Sequence, residues 1–543
     1  MRWVIGLVFL LACATLCVRA TRIPLAGGYV DPVSRIGAQD EALYAHSAIR
    51  MARDGGWLTP TFQGRMALYK PPLLFWLTAI STRAFGLNTF SLRFPVVLAA
   101  ALSVCLVFLW VSDARTRLAA VGAVLLLTSD KLWRALDTMC LTDGLLTALV
   151  VAAICAVARD PALRRRRYFW GFAAATAAAI MVKSVAGLLP LLILALYAVC
   201  ARGLPRPSWR RLGLLAAAVA LLAAPWFLYQ LATHPRWFLA EHFVQEIFAF
   251  GLGNPPQTSA EGQFLFYARR LLETDPVLAI AAAVGIVGLV RAWRSRTPRG
   301  VLLVCWLAAV FATLLIWRYR NAAYLLPALP AIAIAAAAHG PVFRGKRAGA
   351  ALCVCAAAFL VKVSFPRQPW GLRFDSATRL TVAAPLSRYC NAARARDLVI
   401  VDMTDGLYAT ALPLWHVRYY MLGPPPASPS GALDFRRLGI VLTATEYLDI
   451  DRSRDQYAAR LRQAKMRSTE AVGTLVTGDE AGLLRIVQAH PEADFFLPEH
   501  LRALFPPDLE THHEVVRAGG GYFFLLSRDE WPFREGTVKG CRL

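Results

Sequence analysis

The stretch DGLLTALVVAAICAVARDPALRRRRYFWGFAAATAAAIMV, residues 143–182, decides how this chain is read. Two apolar runs, 143–158 and 168–182, flank a turn that holds Arg159 and Arg164 to Arg167. Each run approaches the length at which a helix crosses a hydrocarbon core. Arginine-rich turns stay on the cytoplasmic side of a membrane. The stretch therefore predicts two spans joined inside the cell, with Asp143 and Lys183 at their outer ends.

Working outward, the same pattern recurs at about 3–20, 94–111, 118–129, 185–200, 212–230, 276–290, 300–316, 322–338 and 347–363. The chain is 57% hydrophobic, with a mean hydropathy of +0.47, above the roughly half-apolar composition of soluble proteins. With Arg2 inside, alternate loops are basic: Arg115 and Arg117; Arg159 and Arg164 to Arg167; Arg202, Arg206, Arg210 and Arg211; Arg291, Arg294, Arg296 and Arg299; Arg344, Lys346 and Arg347. The intervening loops are poor in basic residues except at Lys131–Arg134 and Arg318–Arg320. That alternation is the positive-inside rule with an odd number of spans. The net charge of +24 thus reads as orientation and contact with anionic lipid, and nucleic acid is not an expected partner. A cleaved signal peptide over Val4–Cys17 is the competing reading of the first run, and it leaves residues 21–90 outside the cytoplasm as well.

The pattern predicts a polytopic α-helical membrane protein. Its membrane domain covers 1–363 in about 11 spans, with long outer loops at 21–93 and 231–275. A polar part, 364–543, follows outside the cytoplasm. Its short apolar runs (Leu398–Val401, Gly439–Leu442, Tyr522–Leu526) and amphipathic stretches (Ser453–Met466, Glu480–His490) suggest a small C-terminal α/β domain. Most of the eleven cysteines lie inside apolar runs, where they act as small apolar residues. Cys390 and Cys541 are the candidates for an oxidised pair.

The first outer loop carries Asp40-Glu41, then Trp57-Leu58-Thr59-Pro60, then Tyr69-Lys70-Pro71-Pro72-Leu73, then Arg93-Phe94-Pro95 at the next span. The paired prolines fix the backbone after Lys70, and the apolar run beyond them suits a helix in the interface. Taken singly, Asp40-Glu41 also suits a helix start, and Lys70 a cation reaching for headgroups. Taken together and in order, these motifs resemble the family of polyprenyl-phosphate-sugar-dependent glycosyltransferases. That family includes the protein O-mannosyltransferases and the lipid A aminoarabinose transferase. Later segments extend the resemblance: Asp137 to Thr142 at the fourth span, Met181-Val182-Lys183 at the fifth, Glu241-His242 in the long outer loop, and Arg320 through Tyr324-Leu325-Leu326-Pro327. Three positions depart from it. Ser184 stands for the usual glycine after the lysine. Tyr69 stands where the lipid A-modifying members often carry glutamate. Gln245-Glu246 stands near the usual arginine-phenylalanine pair.

The resemblance implies a GT-C-type fold and inverting transfer of a sugar from a polyprenyl-phosphate donor to a hydroxyl or phosphate of a lipid or protein acceptor, outside the cytoplasm. A departing lipid phosphate calls for fixed cations; Lys70, Lys183 and Arg320 are the assigned set. Asp40 is the assigned base, with Glu41 orienting the acceptor. Asp137, expected to hold Lys183 or its loop, supports them, together with Glu241, His242 and Tyr324. No residue is assigned to a metal; a divalent ion stays open as a cofactor, in doubt because Tyr69 replaces the glutamate. The alternatives are a transporter or lipid flippase, which would place charges in mid-span, and a non-catalytic membrane subunit.

Overall fold

The structure, a computed structural model, describes residues 10–17, most of 41–62, 65–86, 89–252, 262–339 except 275 and 295, and six strands between 398 and 527. Asp40, the expected span at 347–363, the expected strand Gly439–Leu442, Cys390 and Cys541 lie outside those residues. The chain divides into two compact units. The first comprises 1–21, 69–74 and 93–372; the second comprises 22–68, 75–92 and 373–543.

The first unit is helical. Residues 10–17 are helical. The principal helices are α2 (Thr89–Ala114), α3 (Arg117–Ser129), α4 (Lys131–Leu136), α5 (Thr142–Arg159), α6 (Arg166–Lys183), α7 (Leu189–Cys200) and α8 (Trp209–Thr233). The short α9 (Pro235–Phe238) runs into a π-helix, Leu239–Leu252. Then follow α10 (Gln263–Thr274), α11 (Pro276–Arg294), α12 (Pro298–Ile316), a 3-10 segment (Ala322–Ala328) and α13 (Leu329–His339). Each run expected between 94 and 338 coincides with helix. Among the described residues six stretches are long and apolar enough to span a bilayer, and the protein is a multi-pass membrane protein.

Local chemistry sets the helix ends. Thr116 caps α3 by accepting from the Ala119 amide at 3.1 Å. Asp130 closes α3 and opens α4, accepting from the Trp133 amide at 2.8 Å. Thr297 accepts from the Gly300 amide, with Pro298 in the first turn of α12. These caps satisfy amides that a helix start leaves without partners.

The longest apolar helical stretch, Arg166–Cys200, is two spans. The α-helix stops at Lys183, and Ser184–Leu188 form a 3-10 turn. Gly187 then lies against the backbone of Ala179 and Ile180, so close that a Cβ would sit 2.2 Å from the Ile180 nitrogen. Residues seven apart in a continuous helix are separated by about 10 Å. The chain therefore doubles back, as the separate runs at 168–182 and 185–200 require. Close helix contacts elsewhere also use glycine: Gly285 and Gly288 of α11 meet the backbone of α13 at Ala336 and His339.

In the second unit, α1 (Leu73–Phe85) lies largely within the 75–92 segment. Trp76 donates its indole N–H to the Trp57 carbonyl at 2.5 Å. Arg83 donates to the Ala52 carbonyl at 2.8 Å and stacks 5.0 Å from the Trp57 ring. A tight antiparallel ribbon pairs β1 (Thr61–Phe62) with β2 (Arg65–Met66).

The C-terminal strands form one sheet: β3 (Leu398–Asp402), β4 (Val417–Leu422), β5 (Thr474–Val476), β6 (Asp494–Pro498), β7 (His513–Gly519) and β8 (Tyr522–Ser527), in the order β5-β4-β3-β6-β8-β7. The first four positions pair in parallel, while β6–β8 and β8–β7 are antiparallel. Parallel neighbours need crossover connections. Four consecutive buried residues, Phe523 to Leu526, mean that β8 is covered on both faces.

Candidate functional site

The first unit brings its assigned cations to two lysine–carboxylate pairs. α5 and α6 form an antiparallel hairpin whose turn is fastened where Asp160 accepts from the Arg165 amide at 2.7 Å. Its far ends carry Asp143 and Lys183, and Lys183 Nζ donates to Asp143 Oδ1 at 2.6 Å. Gly144 makes this possible, because a Cβ there would lie 2.8 Å from Val96 Cγ1 and 3.1 Å from the Leu136 carbonyl oxygen. The start of α5 can thus approach α2 and α4. Lys183 also sits 4.6 Å from the centre of the Tyr324 ring, a cation–π arrangement.

The second pair joins Lys70 to Glu246 of the π-helix. The side chains are 15% and 26% exposed, so both charges are partly withdrawn from water. Asp143 and Glu246 each lie within electrostatic reach of the Tyr324 hydroxyl, which brings both pairs near one phenol. π-helices are rare and gather at functional sites. In this one, His242 and Glu246 are separated by about one turn. His242 shares a 2.8 Å hydrogen bond with Ser184 Oγ, and Glu246 meets Lys70.

Ser184 has φ +43 and ψ −118, a conformation that favours glycine. The departure from the resembled pattern therefore falls at a strained residue, one anchored by its hydroxyl to His242. The imidazole is 1% exposed and stacks on Phe238 with centroids 4.9 Å apart. Trp226 and Phe227 flank it edge-on. Glu241 accepts from the Trp237 indole at 3.1 Å. His242 and Glu241 thus have structural partners, and Tyr69 offers no carboxylate. Among the described residues no three His, Cys, Asp or Glu side chains converge as metal ligands.

The end of the π-helix positions the remaining cations. Gly251 lies beneath the Trp317 ring, where a Cβ would come within 2.5 Å of ring carbons, and the Arg318 amide donates to the Gly251 carbonyl at 2.7 Å. Gln263 of α10 donates to the Trp317 carbonyl. This docks the 317–321 loop, with half-buried Arg320, onto the helix that carries Glu246. Arg320 lies near Tyr267 of α10, whose phenol is pushed up to about 12, chiefly by burial.

Asp137 is expected from the sequence to hold Lys183 or its loop; the carboxylate paired with Lys183 is Asp143. Asp137 is the buried C-cap of α4, its amide donating to the Trp133 carbonyl. Lys183 is the last residue of α6, and Asp143 stands at the matching end of its hairpin partner, whereas Asp137 precedes that hairpin. Hairpin arithmetic on the 143–182 stretch contains the signal for this pairing. Glu246 carried no such signal, since it lies 176 residues from Lys70. In the second unit, Glu41 is helical and 1% exposed.

Residues 69–229 match the family model of dolichyl-phosphate-mannose-protein mannosyltransferase. An undecaprenyl phosphate-alpha-4-amino-4-deoxy-L-arabinose arabinosyl transferase of Shewanella sediminis is 30% identical over 301 residues, 54% of each chain. Its namesake in Pseudomonas paraeruginosa is 31% identical over 334 residues, 56% of each. The chain thus spans about half the length of the curated relatives it matches. The crystal structure of ArnT from Cupriavidus metallidurans bound to undecaprenyl phosphate superposes with a TM-score of 0.62 at 16% identity, covering 96% of this chain and 98% of that one. That likeness establishes the fold.

Proposed function

We propose that this chain, which resembles the protein O-mannosyltransferases over residues 69–229 and the aminoarabinose transferases over about half of their length, transfers a sugar from a polyprenyl-phosphate-linked donor to a lipid or protein acceptor on the outer side of the inner membrane. The observation that carries this reading is the pair of lysine–carboxylate contacts, Lys70 with Glu246 and Lys183 with Asp143, set about Tyr324. Preformed cations at a span end suit a phosphate whose charge grows as it leaves. The leaving phosphate of the donor is received by Lys70 and Lys183, with Arg320 contributing from the docked loop.

The acceptor hydroxyl oxygen forms a bond to the anomeric carbon as the bond from that carbon to the phosphate oxygen breaks. The electron pair leaves on the polyprenyl phosphate. The hydroxyl proton passes to a carboxylate, which the family resemblance assigns to Asp40, with Glu41 orienting the acceptor. Glu246 neutralises Lys70 until the donor phosphate displaces it.

The competing transporter reading would place charges along a mid-membrane path. Lys183 and Asp143 instead occupy the last and second positions of their helices. The periplasmic C-terminus is likewise part of this reading, supported by the alternation of arginine-rich loops. The deciding experiment supplies membranes containing this protein with radiolabelled polyprenyl-phosphate sugars. Consumption of one donor, lost in Lys183→Ala and in Asp40→Asn while both variants still insert, is the expected result. Activity near wild type in Asp40→Asn removes that residue from the base role. Donor consumption that survives Lys183→Ala refutes the phosphate site.

A further inference from the structure

At the opposite, arginine-rich end of the helical unit, α2, α5, α6 and the start of α12 enclose a groove of about 310 Å³. It lies far along the α5–α6 hairpin from Lys183, next to the basic turn. Its walls are mainly apolar, with Leu106, Trp110 and Cys155 among them. Its rim carries Arg159, Arg167 and Arg299. Basic residues at these ends of spans are ordinary topology signals, so arginine alone assigns nothing here. Two further observations do.

The first is charge balance. Asp113 serves both Arg159, at 2.5 Å, and Arg299, at 4.0 Å. Among the described residues no carboxylate pairs with Arg167, which is exposed and stacks 4.7 Å from the Tyr168 ring. Three cations on one anion leave an excess of positive charge at the mouth of an apolar groove. The second is the wall. Trp110, 4% exposed, lines the groove with Leu106 and Cys155, and its indole N–H is itself buried, so the surface it presents is apolar. Apolar walls and a cationic rim together describe the boundary between a lipid's acyl chains and its headgroup.

We propose that this groove binds an anionic phospholipid of the surrounding membrane. Its phosphate is held by Arg167 and the Arg159–Arg299 pair, and its acyl chain lies along Leu106, Trp110 and Cys155. The occupant is distinct from the glycosyl donor, and the proposal does not depend on the reading of the catalytic end.

The test measures the melting temperature of the purified full-length protein in detergent. Phosphatidylglycerol, phosphatidylcholine or sodium phosphate is added at equal concentration. Phosphatidylglycerol is expected to raise the melting temperature by several degrees more than phosphatidylcholine. Arg167→Gln should at least halve that difference, and Arg167→Lys, which keeps the charge, should retain most of it. Arg210→Gln/Arg211→Gln, at another basic loop, should leave it intact. Arg167 is exposed, so its variants fold. Equal shifts with the two lipids, an undiminished shift in Arg167→Gln, or an equal loss in the Arg210/Arg211 variant overturns the proposal. So does a matching shift with sodium phosphate alone, which would make the site one for free anions.

Discussion

Replacing Glu246 by Gln should tighten donor binding, an unusual outcome for a change inside a candidate active site. The side chain keeps its size and loses its charge, so Lys70 is left without its counter-ion. Opposite unit charges about 4 Å apart attract by about 4 kcal/mol at an effective dielectric of about 20. Fully exposed pairs contribute only about 0–1 kcal/mol, whereas breaking a buried pair costs about 3–5 kcal/mol. With 15% and 26% exposure, the Lys70–Glu246 pair falls between these limits, at about 1.5 kcal/mol after screening. A donor phosphate that must open this pair loses that amount, and about 1.4 kcal/mol is tenfold in affinity. The donor KM of Glu246→Gln is therefore expected to fall about tenfold. The maximal rate should change less, because product phosphate is also held more tightly. The assay is initial-rate transfer from a radiolabelled polyprenyl-phosphate sugar in proteoliposomes across donor concentrations. A KM that rises, or a rate that collapses at unchanged KM, refutes the displaceable counter-ion and makes Glu246 a group that helps to hold the substrate.

Lys183→Met should lower kcat/KM at least a hundredfold, and Asp143→Asn by less, because the lysine remains; steady-state kinetics on matched membrane preparations separates the two. Ser184→Gly should keep or raise the melting temperature, because glycine relieves a backbone strain of about 1–3 kcal/mol and offsets the lost bond to His242. Ser184→Val should lower it clearly, and near-equal stabilities would show that the φ of +43 carries no strain. Gly187→Ala should prevent the α6–α7 reversal and reduce membrane-inserted protein, since its Cβ would meet the Ile180 backbone; normal expression with an unchanged melting curve would contradict that contact. Burial holds His234, beyond the end of α8, below its ordinary value of 6.5, so the unfolded chain takes up that proton first. Stability should therefore fall as pH drops below about 6.5, and the slope between pH 7 and 5.5 should flatten in His234→Gln.

The amino-acid sequence determined the order of the helices, the side of the membrane each basic loop prefers, and the break between the runs at 168–182 and 185–200. Hydropathy and arginine placement are read by the bilayer itself, one segment at a time, so a linear chain carries them in full. It also marked Lys70, Lys183, Arg320 and Tyr324 as belonging to one motif set. The choice of partners belonged to the tertiary structure: Glu246 for Lys70, Asp143 rather than Asp137 for Lys183, and His242 for the strained Ser184. An ion pair across 176 residues depends on how a π-helix lies against distant segments. Helix packing is settled by side-chain shape and by glycines such as Gly144, Gly187 and Gly251 that admit a neighbour, and such contacts leave no periodic trace in one dimension.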